Sequence, residues 1–104
     1  MGKISSSVKE SVDKFLNAVS QRYRIEAAYI YGSQAKGIAT YWSDIDVAVI
    51  SSDFTGDLFE ERLELMHLAA RIDDRIEPCP FKRETFNVNN PLTSEIQKNG
   101  LRVV

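Results

Sequence analysis

Two runs of strand-forming residues, 25–31 and 44–50, enclose a glycine-containing segment at 32–37, and this pattern limits the fold more than any other feature of the sequence. The first run ends directly at a glycine. The second begins with Asp44-Ile45-Asp46 and then becomes wholly apolar, as expected for a central strand. We therefore predict that one strand enters a glycine turn and that a central strand opens with two acidic residues.

Helical patterns occupy most of the remaining sequence. The serines at 5–7 are available to cap an amphipathic helix over 6–22, and Gly37 would end a short helix over 33–36. A last helix is predicted from Asn90-Pro91 to Asn99-Gly100. Another helix begins near Asp57, and its predicted apolar stripe consists of Leu58, Leu65, Met66, Ala69 and Ile72.

A third strand is predicted over residues 75–81, where Pro78 and Pro80 both lack an N–H group. Residues two apart in a strand aim their N–H groups at the same side, so that side cannot pair and the strand should lie at an edge. The N–H groups of Glu77 and Cys79 remain for pairing with a neighbour. The predicted order is α-β-α-β-α-β-α, and 104 residues suit a single domain over 1–104.

Composition excludes several kinds of function. Thirteen Lys and Arg against fifteen Asp and Glu give a net charge of −2, which provides no general attraction to nucleic acid or anionic lipid. A polynucleotide is therefore not expected as the direct substrate. No apolar run approaches the ~20 residues that cross a bilayer, and the N-terminus is polar, so we expect no membrane contact and a cytoplasmic location. One His and one Cys cannot form a disulfide or a structural zinc site.

The two aspartates have the spacing of a metal site. In an extended strand Asp44 and Asp46 project from the same face, and their mutual repulsion would be removed by a bound divalent cation. A two-metal site needs a further carboxylate from a neighbouring element. Glu77, on the side of the edge strand that can pair, is the preferred candidate. The other candidates are Asp73, Asp74 and Glu84, which we expect in turns.

The glycine turn has the groups that a phosphate needs. Gly32 allows close backbone approach or a positive φ, and Ser33 offers an N–H and a hydroxyl at the start of a short helix. Lys36 either contacts a phosphate or is simply solvated. The pair Tyr41-Trp42 lies in the following loop and either contacts a base or partner protein or contributes to packing.

These residues resemble a known family. Gly32-Ser33, Ala35, Gly37 and Ser43-Asp44-Ile45-Asp46 are similar to the glycine-serine and Asp-x-Asp signature of the minimal nucleotidyltransferases. Those proteins are small members of the DNA polymerase beta-like nucleotidyltransferase superfamily. The resemblance extends over most of the chain.

The resemblance implies a fold, a reaction and a set of site residues. The fold would be α/β (α+β), with a small mixed sheet of three to four strands flanked by helices. The reaction would use ATP with two Mg²⁺ ions and transfer a nucleoside monophosphate with release of pyrophosphate. Asp44, Asp46 and Glu77 would be the catalytic metal ligands, although the third carboxylate is commonly Asp in the family. The residues assigned to the nucleotide are Gly32, Ser33, Lys36 and Ser43.

The resemblance also implies a partner. Many single-domain members are the antitoxin of a HEPN-domain toxin, and some add AMP to a toxin tyrosine, so we expect a protein adenylyltransferase (AMPylation) that works within a hetero- or homo-oligomer. One alternative is a non-catalytic antitoxin that neutralises its partner by binding. Another is a subunit of a small-molecule nucleotidyltransferase, an activity that generally requires an additional helical domain.

Overall fold

The computed structural model describes residues 4–40, 42–55, 57–87 and 89–104, and its helices and strands alternate as predicted. The first half contains α1 (Ser6–Ser20), β1 (Ala27–Tyr31), α2 (Ser33–Lys36) and β2 (Ile45–Ile50). The second half contains α3 (Leu58–Ala70), β3 (Ile76–Phe81), a 3₁₀ turn (Arg83–Thr85), α4 (Pro91–Asn99) and β4 (Leu101–Arg102). Helix α1 ends two residues before its predicted end at 22, and β1 begins two residues after its predicted start at 25.

The four strands form one mixed sheet with the order β3-β2-β1-β4. Strand β1 is antiparallel to both β2 and β4, whereas β3 is parallel to β2. The edge position predicted for the strand that contains Pro78 and Pro80 is confirmed, and β2 is central. The α/β (α+β) architecture with a small mixed sheet is therefore confirmed as well.

The predicted helix boundaries have local physical causes. Ser5 accepts a hydrogen bond from the Val8 N–H at the start of α1, and Asp57 accepts one from the Glu60 N–H at the start of α3. Gly37 ends α2 with a φ of 74° and a ψ of 18°, the left-handed conformation that glycine adopts without strain.

Apolar side chains cover both faces of the sheet. On one face α1 and α3 pack against alternate residues of the strands, including Ile30, Val47 and Ile76. On the other face Ile96 of α4 packs against Ala48 and Ile50. This second face is only partly covered, because α4 is short, and the acidic start of β2 lies there.

Besides element boundaries, two features differ from the predictions. Met66 and Leu58 were placed on the buried stripe of α3, but they are exposed, whereas Leu65 and Ala69 are buried. The chain after α4 forms β4, which pairs with β1. Gly100 makes this possible because a Cβ there would overlap the Ile96 carbonyl oxygen. Within the described ranges, no helix is both long and apolar enough to cross a membrane.

Candidate active site

Asp46 is the centre of the candidate site. Its backbone lies opposite Tyr31 of β1 on one side and opposite Glu77 of β3 on the other. Residues directly opposite one another in a sheet project from the same face. The register therefore brings Glu77 next to Asp46 on the face that α4 leaves partly open, while Ile45 and Val47 are fully buried on the other face.

Gly32 lies directly against the Asp46 carboxylate. Its backbone has a φ of 72° and a ψ of −147°, a combination that is essentially restricted to glycine. A Cβ atom at this position would overlap Asp46 Oδ2 and stand 3.4 Å from Cγ. The glycine is thus required twice, for its backbone angles and for the space that the carboxylate fills.

Asp44 lies immediately before β2, which begins at Ile45 and not at Asp44 as predicted. Its side chain is exposed, and its carbonyl oxygen accepts a hydrogen bond of 3.3 Å from Gln34 Nε2. Gln34 belongs to α2 and is only 6% exposed. This glutamine holds the backbone of Asp44, and no pattern in the sequence identifies it, because a polar residue in a four-residue helix carries no periodic signal.

The acidic residues influence one another. Burial, followed by the negative charges of Asp44 and Glu77, raises the pKa of Asp46 above its ordinary value. A cation placed beside these groups would lower that pKa, so the electrostatics of the site favour a positively charged ligand. Asp44 and Glu77 therefore both act electrostatically on Asp46.

The alternative third carboxylates have other surroundings. Asp73 accepts hydrogen bonds from Arg75 (N 3.0 Å, Nε 3.0 Å and Nη2 2.8 Å) and from Ser11 Oγ (2.8 Å). The Arg75 guanidinium holds the pKa of Asp73 well below its usual range. Asp74 is exposed in the turn before β3, and Glu84 is exposed in the 3₁₀ turn. Only Glu77 has a register position beside Asp46.

The residues predicted to contact the nucleotide lie around the glycine turn. Ser33 is the first residue of α2, and Lys36 is exposed at its last turn. The Ser43 hydroxyl accepts a hydrogen bond of 2.8 Å from the Thr40 N–H and thereby stabilises the loop before Asp44. Trp42 is 82% exposed. Tyr41, its predicted companion, lies outside the described residues.

Tyr31 and Cys79 form a polar pair next to the carboxylates. The two groups are near enough to affect each other's pKa, and burial raises the pKa of both. Both therefore remain protonated near neutral pH, so neither is an activated nucleophile. Their contribution is to fill the sheet face beside Asp46.

The donor set of the site suits a hard cation. Asp44, Asp46 and Glu77 offer only carboxylate oxygens, the ligands that Mg²⁺ prefers. In the described part of the chain, no group of three or more His, Cys, Asp or Glu side chains converges as a ready-made metal centre. Metal binding at these residues would thus involve reorientation of side chains on a backbone that is already in register.

The fold has a counterpart among solved structures. A crystal structure of a candidate nucleotidyltransferase from Sulfolobus solfataricus superimposes with a TM-score of 0.58, covering 98% of this chain and 89% of that one. The sequence identity is 19%, so this similarity concerns the fold alone. The fold is that of a nucleotidyltransferase.

The sequence comparison identifies the family. Residues 13–104 match the family described as polymerase beta, nucleotidyltransferase. The chain therefore belongs to the polymerase beta nucleotidyltransferase family and is a nucleotidyltransferase. It is also 31% identical, over 70 residues, to a candidate protein adenylyltransferase from Methanocaldococcus jannaschii, covering 67% of this chain and 70% of that protein. The resemblance drawn from the Gly-Ser and Asp-x-Asp motifs is thereby confirmed.

Proposed function

We propose that this nucleotidyltransferase transfers AMP from ATP to the hydroxyl group of a tyrosine in a HEPN-domain toxin and so acts as its antitoxin. The observation that carries this proposal is the position of Asp46, which lies between the Gly32 turn and Glu77. The similarity to a candidate protein adenylyltransferase supports a protein as the acceptor.

Asp44, Asp46 and Glu77 are the residues that would hold Mg²⁺. When bound, Mg²⁺ neutralises phosphate charge and lowers the pKa of the attacking hydroxyl. The raised pKa of Asp46 supports this assignment, since the negative charges of Asp44 and Glu77 lie beside a partly buried carboxyl group.

The glycine turn would position the nucleotide. Gly32 has no side chain to obstruct an approaching phosphate, and Ser33 offers a hydroxyl and an N–H beside it. Lys36 and Ser43 are the further candidates for nucleotide contact. Alignment of the acceptor hydroxyl with the α-phosphorus then accounts for much of the rate, because these residues contribute positioning and charge stabilisation rather than a covalent intermediate.

The double variant Asp44→Asn/Asp46→Asn tests the chemistry. Intact-mass spectrometry of a candidate HEPN-domain partner, co-expressed with the wild type, should show discrete AMP increments. The double variant should give none and yet retain the far-ultraviolet circular dichroism of the wild type. Asp13→Asn is the matched control, since Asp13 is exposed on α1 and pairs only with Lys9 among its described neighbours.

Three other outcomes would contradict parts of this proposal. Undiminished AMP transfer by the double variant would exclude Asp44 and Asp46 as the catalytic metal ligands. Stable inhibition of the toxin without a mass increment would indicate a non-catalytic antitoxin. Labelling of an aminoglycoside or another small molecule, with an unlabelled toxin, would identify a small-molecule nucleotidyltransferase.

Metal binding is tested separately from activity. Adding MgCl₂ and a non-hydrolysable ATP analogue should raise the melting temperature of the wild type and of Asp13→Asn. The double variant should show a much smaller increase. An equal increase in all three proteins would exclude Asp44 and Asp46 as the metal ligands.

A further inference from the structure

Helix α3 carries apolar residues on its outer face as well as on its buried face. The buried face includes Leu65 and Ala69, which pack on the sheet. The outer face carries a second apolar row, which we name the outer stripe: Phe59, Leu63, Met66 and Ala70. All four are exposed, and Phe59 is 70% exposed.

The outer stripe has the spacing of a helix-packing seam. Its members follow one another at intervals of four, three and four residues, the alternation with which helices pack along a common line. Phe59 and Ala70 are 11 residues apart, so the seam extends for about 17 Å at 1.5 Å per residue. The stripe is therefore suited to another helix lying along it.

A groove of about 750 Å³ adjoins the outer stripe. One wall is formed by α3, including Leu63 and Ala70, and the other by Arg22 and Tyr23. Glu64 joins the walls, because it accepts hydrogen bonds from both Arg22 and Tyr23. The groove therefore lies beside the small residue Ala70, at one end of the outer stripe. The large residue Phe59 protrudes at the other end.

This arrangement is complementary to itself. In an antiparallel pair of α3 helices related by a two-fold axis, Phe59 of one copy faces Ala70 of the other, and Leu63 faces Met66. Each protruding Phe59 would then lie over Ala70 at the edge of the other copy's groove. A large residue opposite a small one lets the two helices pack closely at both ends of the seam.

The charges beside the stripe favour the same arrangement. Glu60 and Arg71 are exposed and about three helical turns apart, so they lie on the same flank of α3. In the antiparallel pair, Glu60 of one copy comes within about 3 Å along the axis of Arg71 of the other. In the same pair, His67 of one copy also lies near Glu60 of the other. Arg62 lies on the opposite flank of α3 and therefore takes no part in these pairs.

We infer that the outer stripe of α3 binds a second copy of this chain, in an antiparallel two-fold dimer with two Glu60–Arg71 pairs. A contact based on one helix and its groove lies at the small end of interface sizes, so the dimer should depend on concentration. This inference does not depend on the proposed acceptor.

Charge exchange tests the arrangement. In sedimentation-equilibrium experiments the wild type should show a reversible monomer–dimer equilibrium. Glu60→Arg and Arg71→Glu should each weaken the dimer about tenfold or more, because each places like charges together twice. Mixing the two variants should restore dimerisation, since both cross-pairs in the heterodimer are then of opposite charge. Lys9→Glu, a charge reversal on exposed α1, should leave the equilibrium unchanged.

The apolar part has its own test. Phe59→Ser should also weaken the dimer about tenfold, with an unchanged unfolding transition because the side chain is exposed. A wild type that stays monomeric at the highest soluble concentration, or a mixture of charge variants that stays monomeric, would overturn the inference. If the chain is monomeric and Phe59→Ser instead abolishes toxin binding, the stripe is a toxin-binding surface and the second copy is excluded.

Discussion

Gly32 and Asp46 are packed against each other so closely that position 32 has no room for a Cβ atom. The glycine turn and the acidic strand are therefore one unit, in which the backbone of β1 determines where the carboxylate of β2 can lie. A change on either side of this contact should alter both the stability of the fold and the activity of the site.

Gly32→Ala should destabilise the protein by about 1–3 kcal/mol through its backbone angles alone, and it should displace the Asp46 carboxylate as well. We expect loss of AMP transfer together with a lower urea midpoint. Gly37→Ala is the control. Its φ of 74° is left-handed, so alanine there should lower the free energy of unfolding by roughly 1–2 kcal/mol. Full AMP transfer by Gly32→Ala would contradict the close packing.

Asp46→Asn should stabilise the protein at neutral pH. Because the folded-state pKa of Asp46 is raised, the folded protein binds this proton more tightly than the unfolded chain. The contribution of Asp46 to stability is therefore complete below its ordinary pKa of 3.8 and is lost as the pH rises through the folded-state value. Melting temperatures of the variant and the wild type should converge on acidification and diverge towards neutrality, with the variant higher.

Gln34→Leu should lower the rate of AMP transfer without unfolding the protein. Leucine preserves most of the buried volume but removes the hydrogen bond to the Asp44 carbonyl. Such a bond is worth about 0.5–1.5 kcal/mol, which corresponds to a roughly two- to tenfold lower rate of AMP transfer. Because Gln34 acts through Asp44, the melting-temperature increase produced by MgCl₂ and the ATP analogue should also be smaller than in the wild type. An unchanged increase together with a lower urea midpoint would indicate a general structural role instead.

Asp73→Asn should destabilise the protein by about 1.5–3 kcal/mol at neutral pH, since Asp73 is a charged acceptor for Arg75 and Ser11. Its folded-state pKa is lowered, so this stability is present above the ordinary value of 3.8 and is lost as the pH falls through the folded-state pKa. Urea unfolding at several pH values measures it. Asp13→Asn, on an exposed ion pair, should change stability by no more than about 1 kcal/mol.

Much of the fold follows from local rules. Pro78 and Pro80 predict an edge strand because the missing N–H groups exclude pairing on one side, and β3 lies at the edge. The same rule predicts the pairing side of Glu77, and the parallel register with Asp46 agrees with it. These features depend on backbone chemistry that a single residue type determines.

The errors arise where packing decides. Met66 was assigned to the buried stripe of α3, but this helix is apolar on two faces, so periodicity alone cannot tell which face meets the sheet. Gln34 was missed because its importance depends on a contact with Asp44 across the turn. Strand β4 was missed because two residues give no alternation, and its pairing with β1 depends on the close approach at Gly100.

The parallel pairing of β2 and β3 has a consequence for folding. Asp46 and Glu77 are roughly 30 residues apart in the sequence and become neighbours only after α3 has crossed from one strand to the other. A chain in which β3 has not yet paired with β2 would contain the Gly32 turn and the two aspartates without Glu77 beside them. On the proposed assignment of Glu77 as a metal ligand, a truncated chain that ends before β3 should be unable to transfer AMP.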